Sequence, residues 1–140
     1  MTMMTPVILE TPYAARSVER PTALHLRYLR ACMRDCLLRG EAPFASHHLY
    51  TAPGVLRDEM PEEREHGIQA GFAWRALSYK SVFYADLGWS SGMVQGREAA
   101  ERIFHPCETR QLGFGWLNAQ LAREAAGQSL EHWLRSLGAP

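Results

Sequence analysis

Short runs of consecutive apolar residues alternate along this chain with longer stretches in which apolar positions return every three or four residues. Val7 to Leu9 is the first run, stopped by Thr11-Pro12, because proline lacks a backbone donor and restricts the residue before it. Ala42 to Ala45 is a second strand candidate, weakened by Pro43, and Val82 to Ala85 a third; Cys107 to Leu112 completes the set. Between them Thr22 caps a helix just after Pro21, and Leu26, Leu29, Cys32 or Met33, Cys36 and Leu37 recur at helical spacing up to Gly40. Asp58 to Tyr79 reads as the next helix, with Pro61 in its first turn and Glu59, Glu62 and Glu63 near its positive end. Gly67, Ile68, Gly71, Trp74 and Leu77 share one face of it, and the helix propensity lost at the two glycines predicts close packing against a sheet. A third helix runs from about Ser91 to Phe104, ahead of Pro106. Phe114 to Leu137 forms one or two amphipathic helices with a break at Gly127.

Strands alternating with helices of this length predict parallel pairing through right-handed crossovers. The expected fold is therefore α/β: one domain, a small Rossmann-like three-layer sandwich with a 4-5-stranded, mostly parallel sheet and C-terminal amphipathic helices. In such sheets ligands sit outside the carboxyl ends of the strands. Three polar clusters fall there, Thr11–Ser17, Ser46–Tyr50 and Asp86–Gly92, and together they predict a small-molecule site.

Composition narrows the partners. In 140 residues, 46% are apolar and 21% charged, enough to build a core. The 15 basic and 15 acidic residues cancel without a run of either sign, so the chain lacks the basic face that duplex nucleic acid demands. No apolar run approaches the roughly 20 residues of a membrane span, and MTMMTPVILE lacks the charged start of a secretory signal. Three cysteines, an odd count, point to a reducing compartment, and a cytoplasmic location is expected. The apolar stripe Leu117, Leu121, Leu130, Trp133, Leu134 and Leu137 suits a core or a subunit contact, and the small area of the sheet favours a homo-oligomer.

The clusters suggest chemistry. Ser90-Ser91-Gly92 opens a helix, where serine either caps the first turn or helps its free N–H groups hold an anion. Asp86, at a strand end, either braces a neighbouring loop or serves a ligand through a sugar hydroxyl or proton transfer. His47 and His48 are adjacent, so on an extended segment one faces the pocket and the other turns away. Neither HExxH nor a His/Cys ligand spacing is present, so no metal is expected. Without GxGxxG or GxxxxGK[ST] no dinucleotide cofactor is expected either. Gly88-Trp89-Ser90-Ser91-Gly92 matches the pattern G-x-S-x-G formally, with His105, His132, Glu108 and Glu131 further along. The chain is short for a hydrolase built on that elbow. Cys32 and Cys36, four apart on the apolar face, read as core, as does Cys107.

ETPYAA at 10–15, RDCLLRG at 34–40, APFASHHLYT at 42–51 and DLGWSSGM at 86–93 occur in this order. In that order they resemble the nucleoside 2-deoxyribosyltransferase superfamily, closest to an uncharacterised phage and bacterial branch, over about residues 7 to 112. The resemblance implies a small, usually oligomeric Rossmann-like domain that binds a nucleoside or nucleotide and cleaves or transfers at its N-glycosidic bond. It implies that Pro12, Tyr13, Arg16 and Ser17 line the base or phosphate side, and that Ser91, Gly92 and Met93 form the turn beside the sugar or phosphate. Ser46, His47, His48 and Ser90 are added as ligand contacts from their strand-end positions. The superfamily's nucleophilic glutamate falls four residues after Gly92, where this chain has Gly96. Glu98 is rotated by roughly 200° from that position and does not replace it. Asp86 and Glu10, both at strand ends, are the carboxylates able to approach from another direction. Two functions remain: glycosidic cleavage or transfer with Asp86 or Glu10 as the carboxylate, or nucleotide binding without catalysis, for sensing or sequestering.

Overall fold

The computed structural model describes residues 3–13 and 22–127, with 135 and 138 singly. Four strands, β1 (Thr5–Glu10), β2 (Glu41–Phe44), β3 (Lys80–Tyr84) and β4 (Cys107–Arg110), form one sheet in the order β2-β1-β3-β4, with every pair parallel. Helices α1 (Ala23–Leu38), α2 (Ser46–Leu49), α3 (Pro61–Ala73), α4 (Ser91–Arg102) and α5 (Trp116–Ala125), with a 3-10 turn at Arg75–Leu77, fill the connections. This is the expected α/β sandwich, with four parallel strands among the described residues. The chain order steps outward from β1 on both sides, so the sheet changes direction beside β1, where ligand crevices form in such sheets.

Alternation along the strands sorts the core into two layers. Val7, Leu9, Val82 and Tyr84 meet Tyr28, Leu29, Cys32 and Cys36 of α1 in one buried cluster. Thr22 caps α1 by accepting from the His25 amide, and Trp116 of α5 stacks edge-on against Tyr28, with centroids 4.9 Å apart. On the opposite face lie Ile8, Glu10, Ser81 and Phe83, covered by Met93, Gly96 and Ala100 of α4. Cys32 and Cys36 are fully buried as expected, whereas Cys107 is only half-buried at the start of β4.

Three local expectations change. Ser46–Leu49 is a short helix, so His47 and His48 are not on an extended segment with opposed side chains. The predicted helix over 58–79 is shorter: it begins at Pro61 and ends at Ala73, and the chain then tightens into the 3-10 turn. Its glycines pack against α2 and the preceding loop rather than a sheet. A Cβ on Gly71 would sit 2.7 Å from Ser46 Oγ, and one on Gly67 would sit 3.3 Å from Leu56. The part of the C-terminal stripe from Leu130 onward, with Glu131 and His132, lies outside the described residues.

Among the described residues no helix is long and apolar enough to cross a membrane.

Candidate functional site

The strand ends open onto a cleft of about 870 Å3, within the usual size for small-molecule sites. Its floor comes from the end of β1: Glu10, Thr11, Pro12 and Tyr13. One wall comes from α2 and α3 through Ser46, His47 and Phe72, and the other from Trp89 to Gly96. Arg75 closes the deep end, and Asp58, Glu63 and Arg64 form part of the outer rim.

Glu10 owes its place to strand alternation. Val7 and Leu9 point toward α1, so Glu10 points toward α4. There α4 presents Gly96, and a Cβ at that position would lie 3.2 Å from both Glu10 Oε1 and Arg75 Nη2. The missing side chain of α4 is thus the space that the Glu10 carboxyl and the Arg75 guanidinium occupy. Arg75 Nη2 stands 3.8 Å from Glu10 Oε1, with the two side chains 3% and 16% exposed. Burial pushes the Glu10 carboxyl up to about 7, against the opposing pull of Arg75. Arg75 also lies over the Phe72 ring, 4.3 Å from its centroid. Its Nε is buried without a hydrogen-bond partner.

Thr11 and Tyr13 organise the histidines. Thr11 Oγ1 and His47 Nε2 are 3.0 Å apart, and the Tyr13 ring meets His47 edge-on at 4.8 Å. Burial, then the charge of His48, pushes His47 down to about 3, so its imidazole is neutral at physiological pH and serves as a hydrogen-bonding group. His47 also accepts from the Thr51 hydroxyl through its backbone carbonyl, which secures the short α2.

The predicted residues therefore divide. Glu10, Pro12, Tyr13, Ser46, His47, Ser90, Ser91, Gly92 and Met93 all border the cleft. Met93 does so from a buried side chain that belongs to the core, and Ser90 is the N-cap of α4, its Oγ accepting from the Met93 amide at 3.2 Å. His48 is exposed beside the cleft rather than in it, within 3.3 Å of the Tyr13 hydroxyl. Arg16 and Ser17 lie outside the described residues.

Asp86 stands apart from these residues. It does not border the cleft. Its Oδ1 accepts from the Tyr28 hydroxyl at 2.5 Å and the Leu112 amide at 2.8 Å, and Oδ2 accepts from the Gly113 amide at 2.9 Å. Burial alone would raise its pKa, but these donors and its own amide hold it below the ordinary carboxylate value. A carboxylate so bonded braces the link after β4. Among the described residues the serine-elbow arrangement is also absent. Ser90 is spent on the helix cap, and His105 lies at the opposite end of the sheet, its Nε2 3.5 Å from Ser78 Oγ ahead of β3. Glu108 is held by Lys80 and Arg110.

Sequence reasoning missed Arg75, Phe72 and the rim residues Asp58 and Arg64. Arg75 falls inside what reads as a continuous amphipathic helix, and an arginine there is ordinarily solvated. The break at Ala73 and the 3-10 turn carry it inward.

No group of three or more His, Cys, Asp or Glu side chains among the described residues is arranged to hold a metal ion. Neither the curated proteins nor the solved structures include a match to this chain. One family model does match, over residues 5–110, from the first residue of β1 to the last of β4. By that match the chain belongs to the family described as a domain of unknown function, DUF7768.

Proposed function

We propose that the cleft binds a nucleoside or nucleotide and that Glu10 cleaves its N-glycosidic bond with water. The observation that carries this reading is the Glu10 carboxyl itself, set in the space above Gly96 at the cleft floor, with a pKa near 7. Such a group holds and releases a proton in the pH range where a cell works. In its acid form Glu10 donates a proton to the departing base nitrogen as the sugar acquires oxocarbenium character. The carboxylate left behind stabilises that charge and takes a proton from the water that attacks the anomeric carbon, which regenerates the acid. The bond to the base breaks, a C–O bond forms, and the proton count closes on one residue. Trp89 and Phe72 supply aromatic surface for a base, and Tyr13 and His47 supply polar contacts. The order of the sequence motifs, which resembles the deoxyribosyltransferase superfamily, supports the same substrate class.

A second reading, binding without turnover, is favoured by the Arg75 guanidinium 3.8 Å from Glu10, whose positive charge draws the carboxyl toward its ionised form. The deciding experiment incubates the protein with nucleosides and nucleoside monophosphates and measures free base and bound ligand by mass spectrometry. Base release that disappears in Glu10→Gln supports hydrolysis. Retained ligand without base supports the second reading. Base release that survives in Glu10→Gln overturns the role of Glu10.

A further inference from the structure

Arg75 is a buried charge with unspent donors. Its side chain is 3% exposed, yet no described side chain or carbonyl accepts a hydrogen bond from its guanidinium, and its buried Nε lacks any partner. The nearest anion, Glu10 Oε1, is at 3.8 Å, beyond hydrogen-bond range. Burying a guanidinium in this state is costly, and the cost is recovered when a planar pair of acceptor oxygens meets the fork. Arg75 borders the cleft, so that acceptor can arrive from the cleft side.

We propose that Arg75 anchors an anionic group of the ligand, which replaces Glu10 as its counter-ion while Glu10 takes up a proton from solvent. This inference rests on the proposed reading of the cleft as a substrate site and narrows its ligand to one carrying a phosphate or carboxylate. An acceptor about 3 Å from Nη2 can be no more than about 7 Å from Glu10 Oε1, so an arriving anion and an ionised Glu10 repel each other. The proton taken up removes that repulsion and leaves Glu10 in the acid form that protonates a departing base.

The other groups around the pair do not supply this proton linkage. From α4 the pair meets Gly96, which carries no charge. From β4 it faces Cys107, whose thiol burial pushes up, and from the segment before β4 Arg75 faces His105, whose imidazole is pushed down by burial and by Arg75. On the β1 side His47, joined to Thr11, is pushed down to about 3 and stays neutral.

The test is calorimetric titration with sulfate and, separately, acetate, in buffers of differing ionisation enthalpy. Neither probe titrates near neutrality, and they stand for a phosphate ester and a carboxylate respectively. At pH 8 the expected uptake is about 0.9 proton per bound anion, with apparent affinity falling about tenfold per pH unit above about 7 and flat below it. Glu10→Gln should bind the same anion with no proton uptake and no such slope, and Arg75→Gln should lose about 30-fold or more in affinity. Preference for sulfate or acetate identifies the ligand group. The proposal is overturned if neither anion binds, if binding takes up no proton, or if Arg75→Gln binds as before. Should Arg75→Gln fail to fold, the comparison of wild type with Glu10→Gln still decides it. Base release from nucleosides without anion binding would sink this inference and leave the hydrolytic reading intact. Proton-linked anion binding with no base release would do the reverse.

Discussion

Glu10→Gln keeps the shape of the side chain while removing its proton chemistry. If the residue is the acid and base of glycosidic cleavage, base release should fall by about 100-fold or more. The same variant tests the residue's effect on folding. A carboxyl raised from 4.5 to about 7 binds its proton more tightly when folded. Its favourable contribution is complete below the unfolded value and is lost as pH rises through about 7. The loss is on the order of 3 kcal/mol, and chemical denaturation from pH 5 to 8.5 should show it as the difference between wild type and Glu10→Gln, because His47, held neutral by burial, adds stability in both as pH rises through 6.5. Gly96→Ala probes the same contact from the other side. Alanine gains about 1 kcal/mol of helix propensity, but its Cβ would press on the Arg75–Glu10 pair at 3.2 Å. Net stability should therefore change by less than about 1 kcal/mol, while the Glu10 titration followed by carboxyl NMR should shift. An unmoved titration would show that α4 yields instead.

At the element scale Asp86 ties separate segments together and does not border the cleft. It joins the turn after β3 to α1 through Tyr28 and to the link ahead of α5 through the Leu112 and Gly113 amides. Asn at this position sets an N–H against one of those donors. Asp86→Asn should cost about 2 kcal/mol in denaturant unfolding, while Glu10-dependent activity at saturating substrate is retained in the folded fraction. Because the folded pKa lies below the ordinary 3.8, the contribution of Asp86 is present above that value and is lost as pH falls through the folded one. Much of this scale was legible in the sequence. The strands at Val7, Val82 and Cys107, the Thr22 cap and the Ser90 turn all follow from local pattern. The short helix at Ser46 was not legible, because its four residues are too few for periodicity to show. The break after Ala73 was also hidden, since Trp74 and Leu77 continue the spacing of the preceding helix.

Across the whole molecule a buried ion cluster ties together strands far apart in sequence. Arg110 of β4 donates to both oxygens of Glu41 of β2 at 2.7 Å, and also to Glu108 and the Tyr84 hydroxyl. Lys80 of β3 bridges Glu108 and Glu41 at 2.7 and 3.5 Å. Arg110→Met would leave Glu41 with Lys80 alone, so unfolding should lose about 3 kcal/mol. Pairing with Arg110 holds Glu41 below its ordinary value, and pairing with Arg110 and then Lys80 brings Glu108 down to about 2. Their contributions are present above the unfolded carboxylate value near 4.5 and fade as pH falls toward 2. Wild-type stability should thus drop steeply below pH 4, and the drop should be shallower in Arg110→Met, as acid titration followed by circular dichroism would show.

The sequence by itself determined the alternation of strands and helices, hence the parallel sheet and the end of it that bears ligand-capable loops. Hydrophobic period and cap chemistry are local properties, and local pattern is enough to read them. Only the tertiary structure decided which carboxylate borders the cleft. Glu10 and Asp86 both end strands and look equivalent in the sequence. What separates them is what each meets in space: Asp86 meets the Tyr28 hydroxyl and two backbone amides, whereas Glu10 meets a glycine and an arginine with unspent donors. Burial, partner charge and the fit of one side chain into the space of another depend on contacts between distant segments, and no local pattern records them.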